Sequence, residues 1–330
     1  MNHYKIGLLG GGSWATAIAK MMVDAGVQFS WYMRNESAIE YINQYGHNPN
    51  YISSIEFHTK QFKLTSDIDT VIGDTDIIIL AIPSVYLLNE LGKKTVSLEK
   101  KIIFSAIKGI IPETGSIVGN YLEVHHEIHY SRIGVITGPC HAEEVALERL
   151  SYLTVACPQK KYATYISQCI SSHYIKVKLT KDIIGVEYAS VLKNIYSIAA
   201  GIAHGLGYGD NFQSVLMSNS IREMKQFIKT IHKNKRDVTE SAYLGDLLVT
   251  GYSTFSRNRT FGNMIGKGYS VQNTIMEMNM VAEGYYAIKS AYKIAGDKAT
   301  KFPIIEGMYK ILYEKKNPKK ILKKLTERLD

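Results

Sequence analysis

The sequence predicts an α/β domain followed by an all-helical domain. A glycine-rich turn joins a short apolar run to a helix-forming stretch near the start of the chain, and further apolar runs alternate with helical stretches up to about residue 180. From about Ile183 onward this strand pattern stops. Such alternation is typical of a mostly parallel, doubly wound sheet with crossover helices. We therefore expect residues 1–182 to form the sheet domain and residues 183–330 to form the helical domain.

The individual elements follow from apolar periodicity and from the glycine-rich or polar breaks between them. After the first strand and helix, strands are predicted at Val27–Met33, Asp76–Ile82, Lys101–Ile107, Ile133–Thr137, Leu153–Ala156 and Ile175–Leu179. Helices are predicted at Gly185–Ala203, Asn211–Ile231, Val271–Ala295 and Ile304–Lys315. Because no repeat or low-complexity linker separates the two halves, we expect closely packed domains with a ligand-binding cleft between them.

Length and composition are those of a globular protein with two ordinary domains, since 45% of the 330 residues are hydrophobic and 21% are charged. The three cysteines, Cys140, Cys157 and Cys169, have no paired spacing, which argues against a disulfide framework or a zinc ribbon. No stretch approaches the roughly 20 apolar residues of a membrane span, and no signal-peptide pattern precedes the glycine turn. We expect a soluble, cytoplasmic protein.

The formal net charge of +9 raises the question of a nucleic-acid partner. Much of the excess lies in the last turns of the chain, at Lys315, Lys316, Lys319, Lys320, Lys323, Lys324 and Arg328. Apolar residues alternate with these at helical spacing, which is typical of an amphipathic terminal helix with a solvated basic face. We prefer this interpretation to a nucleic-acid or membrane patch. A positive field also favours a small anionic substrate.

The glycine turn at the start of the chain predicts a dinucleotide site. Gly10 allows a tight turn at the end of the first strand, Gly12 lets the backbone approach a pyrophosphate, and Ala15 is the small residue where helix packs on strand. The phosphates would lie on the N–H groups at the start of the helix. Glycine-rich turns of this kind also occur without a ligand, so the chemistry has to come from other residues.

The end of the second strand bears on which nucleotide is bound. NAD sites usually place an acidic residue there for the ribose 2′-hydroxyl, whereas an arginine accommodates the 2′-phosphate of NADP. The chain has Arg34 and no acidic residue in Ser-Trp-Tyr-Met-Arg-Asn. We therefore expect NADP(H) to be preferred, with NAD(H) possible. The alternative is that Arg34 is an ordinary surface arginine.

Four further segments are rich in residues that a structural loop does not need. Lys108 follows a predicted strand, at the edge of the sheet where ligands lie. Lys193 lies inside an otherwise apolar helix. The other two segments are Gly-Pro-Cys-His-Ala-Glu-Glu at residues 138–144, and Leu-Gly-Asp-Leu at residues 244–247 followed by Ser-Arg-Asn-Arg at residues 256–259.

These motifs together resemble the NAD(P)-dependent glycerol-3-phosphate dehydrogenases of the bacterial type. The shared pattern includes Gly-x-Gly-Ser-Trp-x-Thr-Ala, Lys-Gly-Ile, Gly-Pro-x-His-Ala-Glu-Glu, Leu-Lys-Asn, Gly-Leu-Gly-x-Gly-Asp-Asn, Gly-Asp-Leu and Ser-Arg-Asn-Arg, in order over nearly the whole chain. The resemblance implies a Rossmann-type domain followed by a helical domain. It also implies an oxidoreductase that reversibly reduces dihydroxyacetone phosphate to sn-glycerol 3-phosphate for glycerophospholipid synthesis. Hydride transfer between nicotinamide and a phosphorylated alcohol requires no metal, so none is expected.

The resemblance assigns the general acid/base to Lys193, which is chemically reasonable because an alkoxide develops when hydride reaches a ketone carbon. Burial disfavours the charged form of such a lysine and favours proton exchange. By the same resemblance Asp246 orients Lys193 or the substrate hydroxyl, and Lys108 contacts both cofactor and substrate. The alternative for Lys193 is a lysine whose ammonium reaches the surface.

The remaining roles also come from the resemblance. A phosphate dianion needs several charge-assisted donors, and Ser256, Arg257 and Asn258 can provide them. Further substrate contacts are expected at Gly138, Cys140, Asn194 and Thr250. Further cofactor contacts are expected at Ser13, Trp14, Ala142, Arg257, Val281 and Glu283. A polar turn with solvated arginines is the alternative for residues 256–259.

The chain departs from the family pattern at three positions: Cys140 replaces a common serine, Ala15 a common glycine, and Tyr243 a glycine before Leu-Gly-Asp.

Zinc is not expected, because the deaminase-like Pro-Cys-His-Ala-Glu lacks its second cysteine motif and the histidines near residue 126 lack a third ligand. Three alternatives remain open: another hydroxyacid or sugar-phosphate dehydrogenase, a protein that binds NADP without turnover, and a basic scaffold for RNA or membrane. A homodimer is expected.

Overall fold

The computed structural model describes residues 4–57, 59–278 and 282–330. These residues form two compact units. The first unit contains the chain up to Ile107 together with Ile117–Ile183, and the second contains Lys108–Ser116 together with Ile184–Asp330. The short segment Lys108–Ser116 therefore belongs to the second unit, although it follows a strand of the first.

One eight-stranded sheet forms the centre of the first unit, in the order β3-β2-β1-β4-β5-β6-β7-β8. The strands are β1 (Ile6–Leu9), β2 (Phe29–Tyr32), β3 (Phe62–Thr65), β4 (Ile77–Leu80), β5 (Ile102–Ser105), β6 (Ile133–Thr137), β7 (Ser151–Ala156) and β8 (Ile175–Thr180). Every neighbouring pair is parallel except β6 and β7. The predicted doubly wound, mostly parallel sheet is confirmed.

Burial explains which strands the sequence could reveal. All residues of β1, β4 and β5 are buried, so these strands are continuous apolar runs. The apolar pattern does not predict β3, because this four-residue strand lies at the edge of the sheet and exposes Lys63. Edge strands bury less surface and carry a weaker sequence signal.

Among the described residues, seven α-helices accompany the sheet: α1 (Ser13–Asp24), α2 (Glu36–Tyr45), α3 (Ile68–Asp74), α4 (Leu87–Leu91), α5 (Val118–His126), α6 (Ala142–Ala146) and α7 (Lys160–Ile170). Helix α2 shows why the chain turns where it does. The Asn35 side chain accepts a hydrogen bond from the Ala38 N–H, and Gly46 ends the helix in the left-handed conformation with φ of 75°. Helix α6 packs against α1, so the segment after β6 lies beside the helix that follows the glycine turn.

The second unit is helical, with α8 (Ile183–Gly205), α9 (Asp210–Ile231), α10 (Asp246–Tyr252), α11 (Arg257–Gly266), α12 (Val271–Glu277), α13 (Glu283–Ala295), α14 (Pro303–Leu312) and α15 (Pro318–Thr326). Residues 185–203 of α8 are all buried, which makes it the central helix of this unit. From residue 183 on, the described part of the chain contains no strand, as predicted. No helix in the described ranges is long and apolar enough to cross a bilayer.

The prediction of a single helix over Val271–Ala295 is wrong. Helix α12 ends at Glu277, and α13 begins at Glu283 after Ala282 adopts an extended conformation. The Gly284 N–H donates to the Asn258 side chain (2.9 Å between nitrogen and oxygen) at the start of this new helix. The apolar periodicity of residues 271–295 is that of one continuous helix, so the sequence pattern does not reveal the break between α12 and α13. A hydrogen bond to another helix stabilises the start of α13.

Candidate active site

The glycine turn after β1 has the geometry of a phosphate-binding loop. Gly10 has φ of +133°, and a Cβ atom there would lie 2.4 Å from the Ala81 carbonyl oxygen, so only glycine fits. A Cβ at Gly12 would meet nothing within 4 Å, which leaves open space beside the backbone. Helix α1 starts at Ser13 with no side-chain cap and no acidic residue in its first turn. An anion can therefore approach its N–H groups.

Three side chains hold the carbonyl groups of this turn. Trp31 Nε1 donates to the Gly10 oxygen (2.6 Å), Asn48 Nδ2 to the Gly11 oxygen (3.2 Å), and Thr16 Oγ1 to the Gly12 oxygen (3.0 Å). Asn48 also donates to Thr16 Oγ1 at 2.9 Å, which links two of the three contacts. These contacts within the protein fix the turn, which favours a preorganised site. Trp31 and Asn48 were not among the predicted site residues.

The other predicted residues of the first unit lie at the carboxyl ends of strands. Arg34 follows β2 with its side chain 62% exposed, and its guanidinium lies over the Tyr86 ring at 5.6 Å from the centroid. Gly138 follows β6 with φ of +124°, and a Cβ there would lie 2.8 Å from a backbone oxygen. Cys140 is buried, and Ala142 is the first residue of α6.

A cluster of two lysines and one aspartate lies in the second unit, with Lys193 and Asp246 buried and Lys108 partly exposed. Lys193 on α8 donates a hydrogen bond from Nζ to Asp246 Oδ1, and both residues are almost fully buried. Lys108 Nζ lies 4.0 Å from the other oxygen, Asp246 Oδ2. The structure therefore brings together the three residues that sequence analysis predicted as catalytic, from positions 85 and 53 residues apart in the chain.

The electrostatics of this cluster bring the pKa of Lys193 into a range suitable for proton exchange. Burial lowers its pKa to about 7, and Lys108 also lowers it, while the Asp246 carboxylate acts in the opposite direction. A lysine with this pKa holds both protonation states at neutral pH, which general acid/base catalysis requires. When Lys193 is protonated, its pair with Asp246 is neutral, and the Lys108 ammonium then gives the cluster a net positive charge that suits an anionic substrate.

Local structure positions each member of the cluster. Asn194 Nδ2 donates to the Lys108 carbonyl oxygen (2.7 Å), which fixes Lys108 to α8 one residue after Lys193. A π-helical turn, Ser241–Gly245, leads directly into Asp246 at the start of α10. Thr250 Oγ1 donates to the Asp246 carbonyl oxygen at 2.7 Å, within the same helix. Such π-helical turns occur frequently at functional sites, where they aim side chains.

The start of α11 lies beside α8. Ser256 caps this helix by accepting from the Arg259 N–H, and its Oγ lies 2.9 Å from Ser197 Oγ on α8. Asn258 is buried and accepts the Gly284 N–H, which fixes its amide, while Arg257 is exposed. The Arg259 Nε is buried without a hydrogen-bond partner in the part of the chain that the structure describes. Arginine side chains and a helix N-terminus together form a suitable anion site.

Glycines set the close approach of α8 and α11. A Cβ at Gly262 would lie 2.1 Å from the Ile198 oxygen, and one at Gly266 would lie 2.4 Å from the Ile202 oxygen. The two helices therefore run in the same direction in contact, and this pairing brings the start of α11 to the turn of α8 that carries Lys193. The sequence contains the signal for this contact, two Gly-x-x-x-Gly pairs at 201–205 and 262–266, but the site prediction did not use it.

The predicted site residues thus fall into two groups. Gly10, Gly12, Ser13, Trp14, Arg34, Gly138, Cys140 and Ala142 belong to the first unit. Lys108, Lys193, Asn194, Asp246, Thr250, Ser256, Arg257, Asn258 and Glu283 belong to the second, where Glu283 starts α13. Val281 lies outside the described residues. Within the described ranges, no group of three or more His, Cys, Asp or Glu side chains is placed to hold a metal ion.

Comparison with known proteins decides the family. The model of the NAD-dependent glycerol-3-phosphate dehydrogenase N-terminus matches residues 5–163, and the model of the C-terminus of the same enzymes matches residues 182–323. The chain belongs to the NAD-dependent glycerol-3-phosphate dehydrogenase family. Glycerol-3-phosphate dehydrogenase [NAD(P)+] of an Exiguobacterium species is 33% identical over 98% of this chain and 95% of its own length. The Bacillus subtilis enzyme of that name is 33% identical over 94% of this chain and 90% of its own.

A solved structure shows the same fold. Glycerol-3-phosphate dehydrogenase from Coxiella burnetii superposes with a TM-score of 0.89 at 24% identity, covering 98% of this chain and 99% of that one. The predicted family and the two-part architecture, a Rossmann-type sheet followed by a helical domain, are both confirmed.

None of the three departures from the glycerol-3-phosphate dehydrogenase pattern has a left-handed backbone. Tyr243 lies in the π-helical turn before Asp246, where it is buried and has no left-handed backbone. Ala15 is fully buried in α1, as the small third position of the glycine fingerprint requires. Cys140 is also buried, so its thiol lies within the fold rather than on the surface.

Proposed function

We propose that this chain reversibly reduces dihydroxyacetone phosphate to sn-glycerol 3-phosphate with NADPH or NADH, and that the product supplies glycerophospholipid synthesis. The observation that carries the proposal is the Lys193–Asp246–Lys108 cluster, in which the Asp246 carboxylate contacts both lysines and the buried Lys193 has a pKa of about 7. The family to which the chain belongs supports the same oxidation–reduction reaction, since its relatives are named glycerol-3-phosphate dehydrogenase [NAD(P)+].

The glycine turn supports the coenzyme part of the proposal. The open space at Gly12 and the uncapped start of α1 fit a pyrophosphate, and Trp31, Asn48 and Thr16 fix the carbonyl groups of the turn. When bound, the nicotinamide supplies or accepts the hydride. The proposed contacts of the first unit with the coenzyme also include Ser13, Trp14 and Ala142, with Gly138 and Cys140 facing substrate.

Lys193 supplies the proton for reduction. As hydride reaches the ketone carbon, negative charge develops on the carbonyl oxygen, and the Lys193 ammonium donates a proton to it. In the reverse direction the neutral amine accepts the proton of the alcohol. Asp246 holds the Lys193 side chain in one position, and Lys108 adds positive charge toward the developing oxyanion.

The start of α11 binds the substrate phosphate in this proposal. Ser256, Arg257 and Asn258 are adjacent at the N-terminus of a ten-residue helix, where the helix dipole and charged donors act together on a dianion. The Ser197–Ser256 contact fixes this end of the helix to α8. Asn194 and Thr250 complete the second unit's contacts, while Arg257, Val281 and Glu283 are proposed to approach the coenzyme.

The finer parts of the proposal concern coenzyme preference, location and assembly. Arg34 supports a preference for NADP(H) over NAD(H), because a guanidinium can pair with the 2′-phosphate. Arg34→Ala should therefore weaken NADPH binding more than NADH binding, and an unchanged ratio of the two dissociation constants would remove Arg34 from this role.

We also propose a cytoplasmic homodimer that needs no metal. Sedimentation of the purified protein and its activity in chelator would test the assembly and metal statements.

A steady-state assay tests the function directly. The purified protein is mixed with dihydroxyacetone phosphate and with NADPH or NADH in parallel, and coenzyme oxidation is followed by absorbance. We expect turnover with this substrate and none with 6-phosphogluconate or 3-hydroxyacids, which the related dehydrogenase reactions would use. Tight NADPH binding without oxidation at saturating dihydroxyacetone phosphate would instead identify a binding protein and overturn the proposal.

A further inference from the structure

A buried carboxylate lies beside Arg34, although the residues from β2 to Asn35 include no acidic residue. Glu90 belongs to α4, after β4, and its side chain is 4% exposed. Its Oε1 lies 3.8 Å from Arg34 Nη1. The local sequence after β2 therefore gives an incomplete account of this end of the sheet, because a residue 56 positions further along the chain supplies a negative charge there.

Glu90 is held in this position and ionised. Tyr32, the last residue of β2, donates its hydroxyl to Glu90 Oε2 at 2.7 Å, and Lys93 Nζ donates to both carboxylate oxygens at 2.9 and 3.0 Å. Burial opposes ionisation of the carboxyl, but these hydrogen bonds and the neighbouring cations outweigh it and lower the pKa of Glu90. The carboxylate is thus a fixed negative charge at neutral pH.

Arg34 is placed between this charge and solvent. One nitrogen of its guanidinium faces the Glu90 carboxylate, and the guanidinium lies over the exposed Tyr86 ring. The side chain remains 62% exposed, so its outer edge stays accessible to a ligand. The arrangement orients the guanidinium and partly neutralises it at the same time.

We propose that Glu90 is a specificity-determining residue, acting as the internal counter-ion of Arg34 that weakens binding of a 2′-phosphorylated coenzyme and so reduces the preference for NADP(H) over NAD(H). The inference rests on the proposed function, in that the ribose of a dinucleotide bound at the glycine turn must lie beside Arg34. A 2′-phosphate would pair with Arg34 and be repelled by Glu90, whereas a 2′-hydroxyl carries no charge. Glu90 therefore affects NADPH and leaves NADH nearly unaffected.

The size of the effect follows from charge and distance. A phosphate on the outer edge of the guanidinium would lie roughly 8 Å from the carboxylate, within the screening length at physiological salt. Lys93 cancels part of the repulsion. We expect removal of the Glu90 charge to raise the affinity for NADPH relative to NADH by about threefold to tenfold.

The experiment measures dissociation constants of NADPH and NADH by coenzyme fluorescence for the wild type and for Glu90→Gln, whose amide oxygen can still accept the Tyr32 hydroxyl. We expect the NADPH-to-NADH affinity ratio to rise as stated. A ratio that is unchanged or lower, with NADH still bound, overturns the inference. If the wild type binds neither coenzyme, it is the proposed function that fails.

Two further variants separate the charge effect from structural damage. Lys93→Met removes the partly exposed lysine that neutralises Glu90, so the NADPH-to-NADH affinity ratio should fall by about twofold to fivefold. A ratio that does not fall contradicts the inference, even if Glu90→Gln fails to fold. Asn48→Ala loosens the glycine turn that both coenzymes share. It should weaken both equally and leave the ratio unchanged, as a structural effect does.

Discussion

Replacing Asp246 with asparagine tests how the buried cluster controls the proton on Lys193. The asparagine keeps the size of the side chain and an oxygen acceptor for Lys193 Nζ, but it removes the carboxylate charge that raises the pKa of Lys193. Burial and Lys108 would then act unopposed. We therefore expect the pKa of Lys193 in Asp246→Asn to fall below its wild-type value of about 7.

The magnitude can be worked from the geometry. Two unit charges 4 Å apart interact by about 4 kcal/mol at an effective dielectric constant of about 20, which corresponds to roughly three pKa units. A weaker base is also a stronger acid, so faster proton donation by the ammonium compensates for part of the lost protonated fraction. We expect kcat/KM for reduction at pH 7 to fall by about 10- to 100-fold.

The assay is a profile of kcat/KM for dihydroxyacetone phosphate reduction between pH 5 and pH 9. Reduction needs protonated Lys193, so the wild-type value should decline as pH rises through about 7, whereas in Asp246→Asn the decline should already occur below pH 7. The substrate phosphate titrates near pH 6 in both proteins, so the variant-to-wild-type ratio cancels it. Asp297→Asn, an exposed aspartate, is the matched control. A variant profile that declines at the wild-type pH would refute the reasoning.

Three further predictions concern binding and packing. Arg257→Ala should raise KM for dihydroxyacetone phosphate by about 10- to 100-fold and change kcat less, since a charge-assisted hydrogen bond contributes about 1.5–3 kcal/mol. An unchanged KM would show that other residues bind the substrate phosphate. Asn48→Ala should weaken NADPH and NADH about equally, by roughly fivefold, as titration would show. Gly262→Ala should lower the free energy of unfolding by about 2–4 kcal/mol in denaturant titrations, because the new Cβ would lie 2.1 Å from the Ile198 oxygen. The control is Gly73→Ala, where a Cβ would meet nothing within 4 Å, and it should change the free energy of unfolding by less than about 1 kcal/mol.

The sequence predicts those features whose physical cause is local. Strands β1, β4 and β5 are apolar throughout because both faces of the sheet are covered, and the glycine turn follows from backbone geometry that only glycine permits at Gly10. Lys193 is conspicuous because a lysine rarely lies in an apolar, buried helix. The family followed from the order and spacing of several motifs along the chain, and the proposed roles of Lys193, Asp246 and Lys108 came from that resemblance.

Features that depend on distant contacts have no comparable local signal. Asn48 and Trp31 reach the glycine turn from 37 and 21 residues away, and nothing in their neighbourhoods distinguishes them from residues of a loop or a strand. The start of α13 donates a hydrogen bond to Asn258, which belongs to another helix. Glu90 lies in a short helix, and its relation to Arg34 follows only from the positions of β2 and β4 in the sheet.

The most direct test of the central claim, that Lys193 transfers the proton while the glycine turn binds coenzyme, is a single-turnover measurement on Lys193→Met. Methionine preserves the apolar stem without the ammonium. With saturating NADPH and dihydroxyacetone phosphate, we predict a rate of coenzyme oxidation about 10²- to 10⁴-fold below wild type, with the NADPH dissociation constant within about twofold of wild type. A rate within tenfold of the wild type, in a folded variant that binds NADPH normally, would contradict the account.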